Sequence, residues 1–400
     1  MIVTLTALVV AILLQIYPVA QQVNPLLPAS VMLIMAIPFL IIFPLGIMLS
    51  WIPLQKAESN LTPRVFELFY HDKPIRLAGG IIVLFPLFSI ILATVLVYSH
   101  YDHAIFLGIW VVLFGIALDC LRYYARRVIR YLNPFQVAQL FSNQVAVAIR
   151  NNHEVNLCRW IDALSEIAIK GIQRNNHALC NLALDELENA GQLFLEASKS
   201  IAHPEVDKET KLLGTSDKVS YMMFFIYQRL DMMFNKAIQE HLETVCSHII
   251  TILGKLSVSA AKFDMTLASA PLRFLGKCAS RAQEAGFEEA PITASCTLYL
   301  VAKTILTEIN VQYYEIKDPF LSIINGMEVL AKQEFRRNKQ ININSLIQPF
   351  NDLKALFDQP QIKEHQDVPV IIVNIDRVIG EFRALESVMN AMPKIPEVEG

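Results

Sequence analysis

Two hydrophobic patterns divide the chain. Up to about residue 121 the apolar residues come in long unbroken runs; beyond it they recur at helical spacing with polar residues between them. Four runs stand out: Ile2 to about Ala20, about Leu27 to Ile52, Ala78 to Ser99, and Ala104 to Leu121. A helix needs about 20 apolar residues to cross the hydrocarbon core, so the pattern predicts four transmembrane helices. Pro38 and Pro44 fall in the second and Pro86 in the third, positions that membrane helices tolerate. The first run has no basic flank, and Pro18-Val19-Ala20 is a poor cleavage site. It is read as a span and not as a removable signal.

After residue 121 the periodicity is that of amphipathic helices, with little strand-like alternation. The spacing predicts helices over 135–151, 154–174, 176–200, 216–257, 264–285, 291–314, 319–337, 343–358 and 368–391. Ser216 and Asp217 are placed as the cap of the longest. The one strand-like run, Val368 to Val373, is read as a helix start. A degenerate repeat runs through this region: Leu164 with Lys170 and Gly171, Leu230 with Lys236 and Ala237, and Leu275 with Arg281 and Ala282. Each copy has a leucine, a basic residue six positions on, and then a small residue. The copies lie 66 and 45 residues apart, too uneven for a regular solenoid period but compatible with stacked helical hairpins. The expected fold class is all-α. A bundle of four transmembrane helices (1–121) leads through a juxtamembrane helix and linker (122–152) to a cytosolic helical domain (153–400), an α-solenoid or an irregular helical bundle.

Charge follows the same division. Residues 1–55 carry no Asp, Glu, Lys or Arg; residues 1–130 hold 8 basic and 5 acidic residues, and 131–400 hold 26 and 32. A mildly acidic second part argues against nucleic acid as a partner, because that binding needs a basic footprint. None of the six cysteines (Cys120, Cys158, Cys180, Cys246, Cys278, Cys296) is paired at C-x-x-C spacing. Five sit in apolar helical contexts, which suits a reduced compartment.

Loop charge orients the spans. Residues 53–77 carry Lys56, Arg64, Lys73 and Arg76, and the stretch after the fourth span carries Arg122, Arg126, Arg127 and Arg130, whereas 21–26 and 98–103 have no Lys or Arg. Both termini are therefore expected in the cytoplasm, most simply across a bacterial inner membrane. Arg122, Tyr123, Tyr124, Arg126, Arg127 and Arg130 form an expected membrane-interface anchor, with arginines meeting lipid phosphates and tyrosines in the headgroup zone. Ala104, Gly108 and Gly115 share a face of the fourth span, where small residues let a second helix come close.

Chemistry is sparse. The spans hold no ionisable residue before Asp119, which argues against a proton-coupled transporter. His100, Asp102 and His103 share a loop but lack a fourth metal ligand. His241, Glu243, Cys246 and His248 share a helix at the wrong spacing for a zinc enzyme. Cys120, at a membrane exit, is a lipidation candidate by position. With only 14 glycines and no phosphate-binding loop, no nucleotide is expected, and no cofactor, metal or catalytic residue is assigned. The expected function is a non-enzymatic membrane-anchored scaffold or adaptor. Its partners would be membrane lipid and proteins, or a second copy bound through the helical domain, within a larger membrane assembly. The alternatives are a channel or channel-regulatory subunit, and a membrane enzyme acting on lipid.

Overall fold

Helices account for the regular structure of residues 2–16, 26–98, 103–201 and 208–391, the residues described by a computed structural model; no strand occurs among them. The order is α1 (Ile2–Ile16), α2 (Leu26–Asn60), α3 (Arg64–His71), α4 (Lys73–Tyr98), α5 (His103–Leu132), α6 (Pro134–Arg150), α7 (Glu154–Gln173), α8 (His177–Ile201), α9 (Lys208–Gln239), α10 (Glu243–Phe263), α11 (Ser269–Glu284), α12 (Glu289–Glu308), α13 (Lys317–Arg337), α14 (Ile343–Ala355), the short α15 (Pro360–Lys363) and α16 (Val368–Ala391). The chain divides into two units, Met1–Val137 and Ala138–Gly400, a boundary within the segment expected to be juxtamembrane.

In the first unit α4 and α5 lie at the centre, with α2 packed on both and α1 on α5. An aromatic cluster fills the middle. Phe39 lies 4.8 Å from Phe85 between ring centroids, and Trp110 stacks on Phe114 at 5.3 Å. The indole N–H of Trp110 donates to the buried Ser89 hydroxyl (2.9 Å), which donates to the Phe85 carbonyl (2.9 Å). Each buried donor is thereby satisfied within the apolar interior. The outward positions of α4 are also apolar: Leu77, Leu84, Leu87, Phe88 and Ile91 are all exposed, Leu77 at 69%. Contacts fix the helix directions. Thr4 meets Asp119 and Ala7 meets Gly115, so α1 runs antiparallel to α5. Asp72, just before α4, meets Arg127 and Tyr131 near the end of α5, so α4 is antiparallel to α5 as well.

Two details differ from the sequence expectation here. The stretch 53–77 is not an open loop: α2 continues to Asn60 and α3 follows with Val65 and Leu68 buried. The residues after Pro53 (Leu54 to Ser59) are compatible with helix and nothing breaks it before Asn60. Among the described residues, four helices qualify by length and composition as candidate membrane spans, but they are α4, α5, α10 and α12; α1 and α2 contribute the shorter apolar stretches Val3–Leu13 and Leu26–Ile41.

Helix α10 is apolar for another reason. It sits within the second unit against α8, α9, α11 and α12, and its exposed positions are Thr244, Lys255 and Lys262. A helix buried on several sides is apolar without facing lipid. The second unit stacks helices in two layers. In one, α7, α9, α11, α13 and α16 succeed one another; in the other, α8, α10, α12 and α14 do, and α7/α8, α9/α10 and α11/α12 form hairpins. Polar pairs tie each helix to the next in its layer: Asp162–Arg229 at 2.7 Å, Asp231–Arg281, Gln283–Glu334 at 2.9 Å, and Glu328–Arg377 at 2.7 Å. Such bonds join residues 46–53 apart along most of the stack and 63–67 apart at its first step. This is the repeat, stretched once by the long α9 and the segment before it.

The three sequence copies mark one structural position. Asn175, His241 and Gly286, each five residues after Lys170, Lys236 and Arg281, have φ of 54°, 55° and 84°. At each, two N–H groups reach back to close the helix end. Asn176, Leu242 and Phe287 donate to the carbonyls of Gly171, Ala237 and Ala282 at 2.9–3.0 Å, the bond of a Schellman turn. One helix expected over 216–257 is two for this reason: His241 takes the left-handed conformation and reverses the chain, with no Gly or Pro to signal it. Helix α9 also begins at Lys208, ahead of the expected cap at Ser216 and Asp217.

Candidate interaction groove and membrane-interface collar

The regular stacking changes after the hairpin α11/α12: α13 packs on α11 and α12, but α14 packs chiefly on α16 and not on α13 as a hairpin partner. The earlier hairpin turns are short: 174–176, 240–242 and 285–288. The link between α13 and α14 spans 338–342, and Asn338 has extended backbone, φ −129°. The capping differs too. Glu243 of α10 reaches across and accepts from the N–H groups of Glu289 (2.6 Å) and Ala290 (3.2 Å), capping α12 from the preceding hairpin. Helix α14 is capped by its own Asn342, which accepts from Asn344 N–H at 3.0 Å. Without a cross-hairpin cap, α14 meets α12 only at its edge and leans on α16, and a groove of about 570 Å³ opens among α12, α13 and α14.

Apolar side chains line it: Phe287 and Ile292 from the α11/α12 side, Met327 and Leu330 from α13, Leu346 and Phe350 from α14. Ile292 is 65% exposed. Glu288, Glu334 and Arg337 form the charged rim, with Arg337 paired to Glu288 at 3.4 Å. Gln283 is buried at one wall. Its N–H₂ donates to Glu334, and its carbonyl oxygen has no hydrogen-bond partner. A buried acceptor left open is uncommon; here it coincides with the break in the repeat. Sequence reasoning missed the groove because its residues are spread over four helices. The only legible sign was that the leucine–basic–small pattern does not recur in α13.

The expected anchor separates into two groups. Arg122, Tyr123, Arg126 and Arg130 are exposed. Arg127 is engaged with the protein: its Nε donates to Asp72 at 2.9 Å, beside the Tyr131 hydroxyl, which donates to the same carboxylate oxygen at 2.8 Å. Tyr124 packs against the apolar cluster of the first unit. Of the small residues on α5, Ala104 and Gly108 are buried, and Gly115 permits the closest approach in the unit. A Cβ placed there would lie 2.6 Å from the Cβ of Ala7. The neighbour is α1 of the same chain.

Among the other candidates, His100 and Asp102 lie outside the described residues. His248 pairs with Asp185 of α8 at 2.8 Å, and His241 serves as a helix-end residue. Among the described residues no group of three or more His, Cys, Asp or Glu converges on a common centre. Burial pushes the thiols of Cys180, Cys246 and Cys278 up to about 12, far from the reactive range.

No family model and no curated protein matches the chain. A search of solved structures finds a circular tandem repeat protein with novel repeat topology and enhanced subunit contact surfaces. It is 14% identical over 91% of this chain and 99% of that one, with a TM-score of 0.21. A score so low carries no argument beyond the shared helical character.

Proposed function

We propose that the protein is a non-enzymatic, membrane-anchored scaffold whose helical stack holds an amphipathic helix of a partner protein, as one subunit of a larger membrane assembly. The groove between α12 and α14 carries this reading. It is walled by helices, apolar at its base and charged at its rim, the setting in which a helix lays down its apolar face. Its size and openness suit a row of side chains better than an enclosed substrate, and stacked helical hairpins offer extended faces of this kind.

The first unit is the anchor. Its outward apolar face, inverted relative to the second unit, supports burial in lipid. The antiparallel helices bring Thr4, Asp72 and Arg127 toward one end of the unit, which supports reading the two basic stretches as lying on one side. By the positive-inside tendency that side is the cytoplasm, in a bacterial-type inner membrane.

The test is purification of the full chain in mild detergent. Wild type should retain a partner in stoichiometric amount. Ile292→Glu, a change at an exposed groove position, should lose it, while Tyr313→Glu, 83% exposed and outside the groove, should keep it. A clean monomer without partner, or retention unaffected by Ile292→Glu, overturns the reading.

A further inference from the structure

A second concavity lies in the first unit, among α1, α4 and α5, with a volume of about 410 Å³. On the α4 side its wall is apolar: Leu77, Ala78 and Ile81, one stripe at helical spacing, with Pro74 above them. On the other side lie Thr4 and the α5 stripe Ile116, Asp119, Cys120 and Tyr123. The carboxylate of Asp119 is engaged: one oxygen accepts from the N–H (3.0 Å) and the hydroxyl (2.6 Å) of Thr4. It therefore serves as a tie between α1 and α5, and most of the remaining wall is apolar, with the Tyr123 ring at its upper end.

We infer that this crevice is a binding site for one acyl chain of an anionic phospholipid, with the headgroup held by Lys73 and Arg126. The inference rests on the membrane reading above. Away from its charged mouth the surface beside the crevice is apolar, with Leu77, Leu84 and Leu87 exposed along α4, so its occupant arrives from the bilayer and not from water. The α5 stripe that lines it continues, three residues past Tyr123, to Arg126, which is exposed and makes no ion pair among the described residues. Lys73, equally exposed, adjoins Pro74 at the mouth. Arg127 cannot serve, being held by Asp72. At 1.5 Å rise per residue, Arg126 stands about 10 Å along the axis from Asp119, so a phosphate there is clear of the Asp119 carboxylate. Tyr123 lies between the two at the depth where tyrosine prefers the headgroup boundary. Chain below, phosphate above and tyrosine between them match a phospholipid in order and polarity.

Native mass spectrometry of the full chain in mild detergent, after exchange into vesicles of phosphatidylglycerol or phosphatidylcholine, tests this. Wild type should retain one phospholipid, preferring phosphatidylglycerol by roughly thirtyfold if two surface cations act together. Ala78→Trp and, separately, Ile81→Trp should fill the crevice and abolish retention, while Leu84→Trp, on the outward face, should not. Lys73→Gln with Arg126→Gln should keep a bound lipid and lose the headgroup preference. Retention unchanged in both filling variants, equal retention of the two lipids by wild type, or competition by inorganic phosphate alone overturns the proposal. Failure of the membrane reading itself would look different: the chain would leave membranes in alkaline carbonate, before any lipid is counted.

Discussion

The α1–α5 contact gives the sharpest quantitative test of the first unit. Replacing Gly115 with alanine adds one methyl group, which meets Ala7 Cβ at 2.6 Å and the Thr4 Cα and Val3 carbonyl at 3.2 Å. Two of those three neighbours are backbone, so the strain is relieved only by moving α1. Overpacking of this kind costs about 1–3 kcal/mol. An opposing term is the helix preference for alanine over glycine, about 1 kcal/mol. Gly79 on α4 calibrates that term, because a Cβ there meets nothing within 4 Å. Gly79→Ala should therefore stabilise the unit or leave it unchanged, and Gly115→Ala should fall about 1–3 kcal/mol below it. Moving α1 also strains the bonds from Thr4 to Asp119, which lie one turn away. Ala7→Gly removes the shortest contact, so the double variant should recover part of the loss, with a coupling of about 1 kcal/mol or more. Unfolding in mixed micelles, followed by far-UV circular dichroism, measures wild type and all four variants. If Gly115→Ala behaves like Gly79→Ala, or the coupling is within about 0.3 kcal/mol of zero, α1 does not pack on α5 through this glycine.

Three further outcomes follow from the helical stack. His241 holds a left-handed conformation that L-residues resist by about 1–2 kcal/mol, so His241→Gly should raise the thermal midpoint and Gly286→Ala, at φ 84°, should lower it; identical shifts would refute the shared turn. Maleimide at neutral pH should label the exposed Cys296 quickly and reach Cys180, Cys246 and Cys278 only on unfolding; rapid native labelling of the buried three would contradict the packing. Burial opposes ionisation of Glu328, but hydrogen bonds from Arg377 and Lys332 outweigh it and hold the carboxyl below its usual range, and the same two cations lower Glu381. A depressed carboxylate stabilises above the unfolded-state pKa of about 4.3 and loses that contribution as pH falls through the folded value. Glu328→Gln should therefore be less stable at neutral pH and lose less in an acid titration; parallel wild-type and variant titrations would show that the pairs contribute nothing.

The long apolar and amphipathic runs made the helical class legible, because period and length are written locally. The end of α5 has a local cause too: Asn133-Pro134 follows its last residue, and proline cannot continue a helix without losing a hydrogen bond. What the sequence hid was tertiary. The break at His241 has no local breaker; the Leu242 N–H closes back on the Ala237 carbonyl, α10 packs on α9, and a non-glycine residue accepts the strain. The apolarity of α10 resembles that of a span because a helix surrounded by protein and one surrounded by lipid exclude water alike. Within the collar, Arg127 is indistinguishable from its neighbours by sequence. Only the position of Asp72, 55 residues earlier, separates it from the exposed arginines. The crevice between α1, α4 and α5 draws on three separate helices, and no contiguous pattern could announce it.

The repeat explains both what could be read and where reading stopped. Leu164, Leu230 and Leu275 are fully buried, and the basic and small residues after them end a helix that must turn sharply onto its partner. Because the same turn is needed each time, the same residue types recur, even though the connections between hairpins differ in length. Helix α11 stops one residue past Gln283, whereas α13 runs three past Glu334, the residue facing it. That extension and the five-residue link displace the start of α14, and no cross-hairpin carboxylate draws it back to α12. The pattern is lost where the turn is lost, and the groove opens at the same point. A departure from a repeated local solution is where a fold most often gives up regularity for a binding surface. The groove therefore outranks the other concavities of the stack as the place to look for a partner.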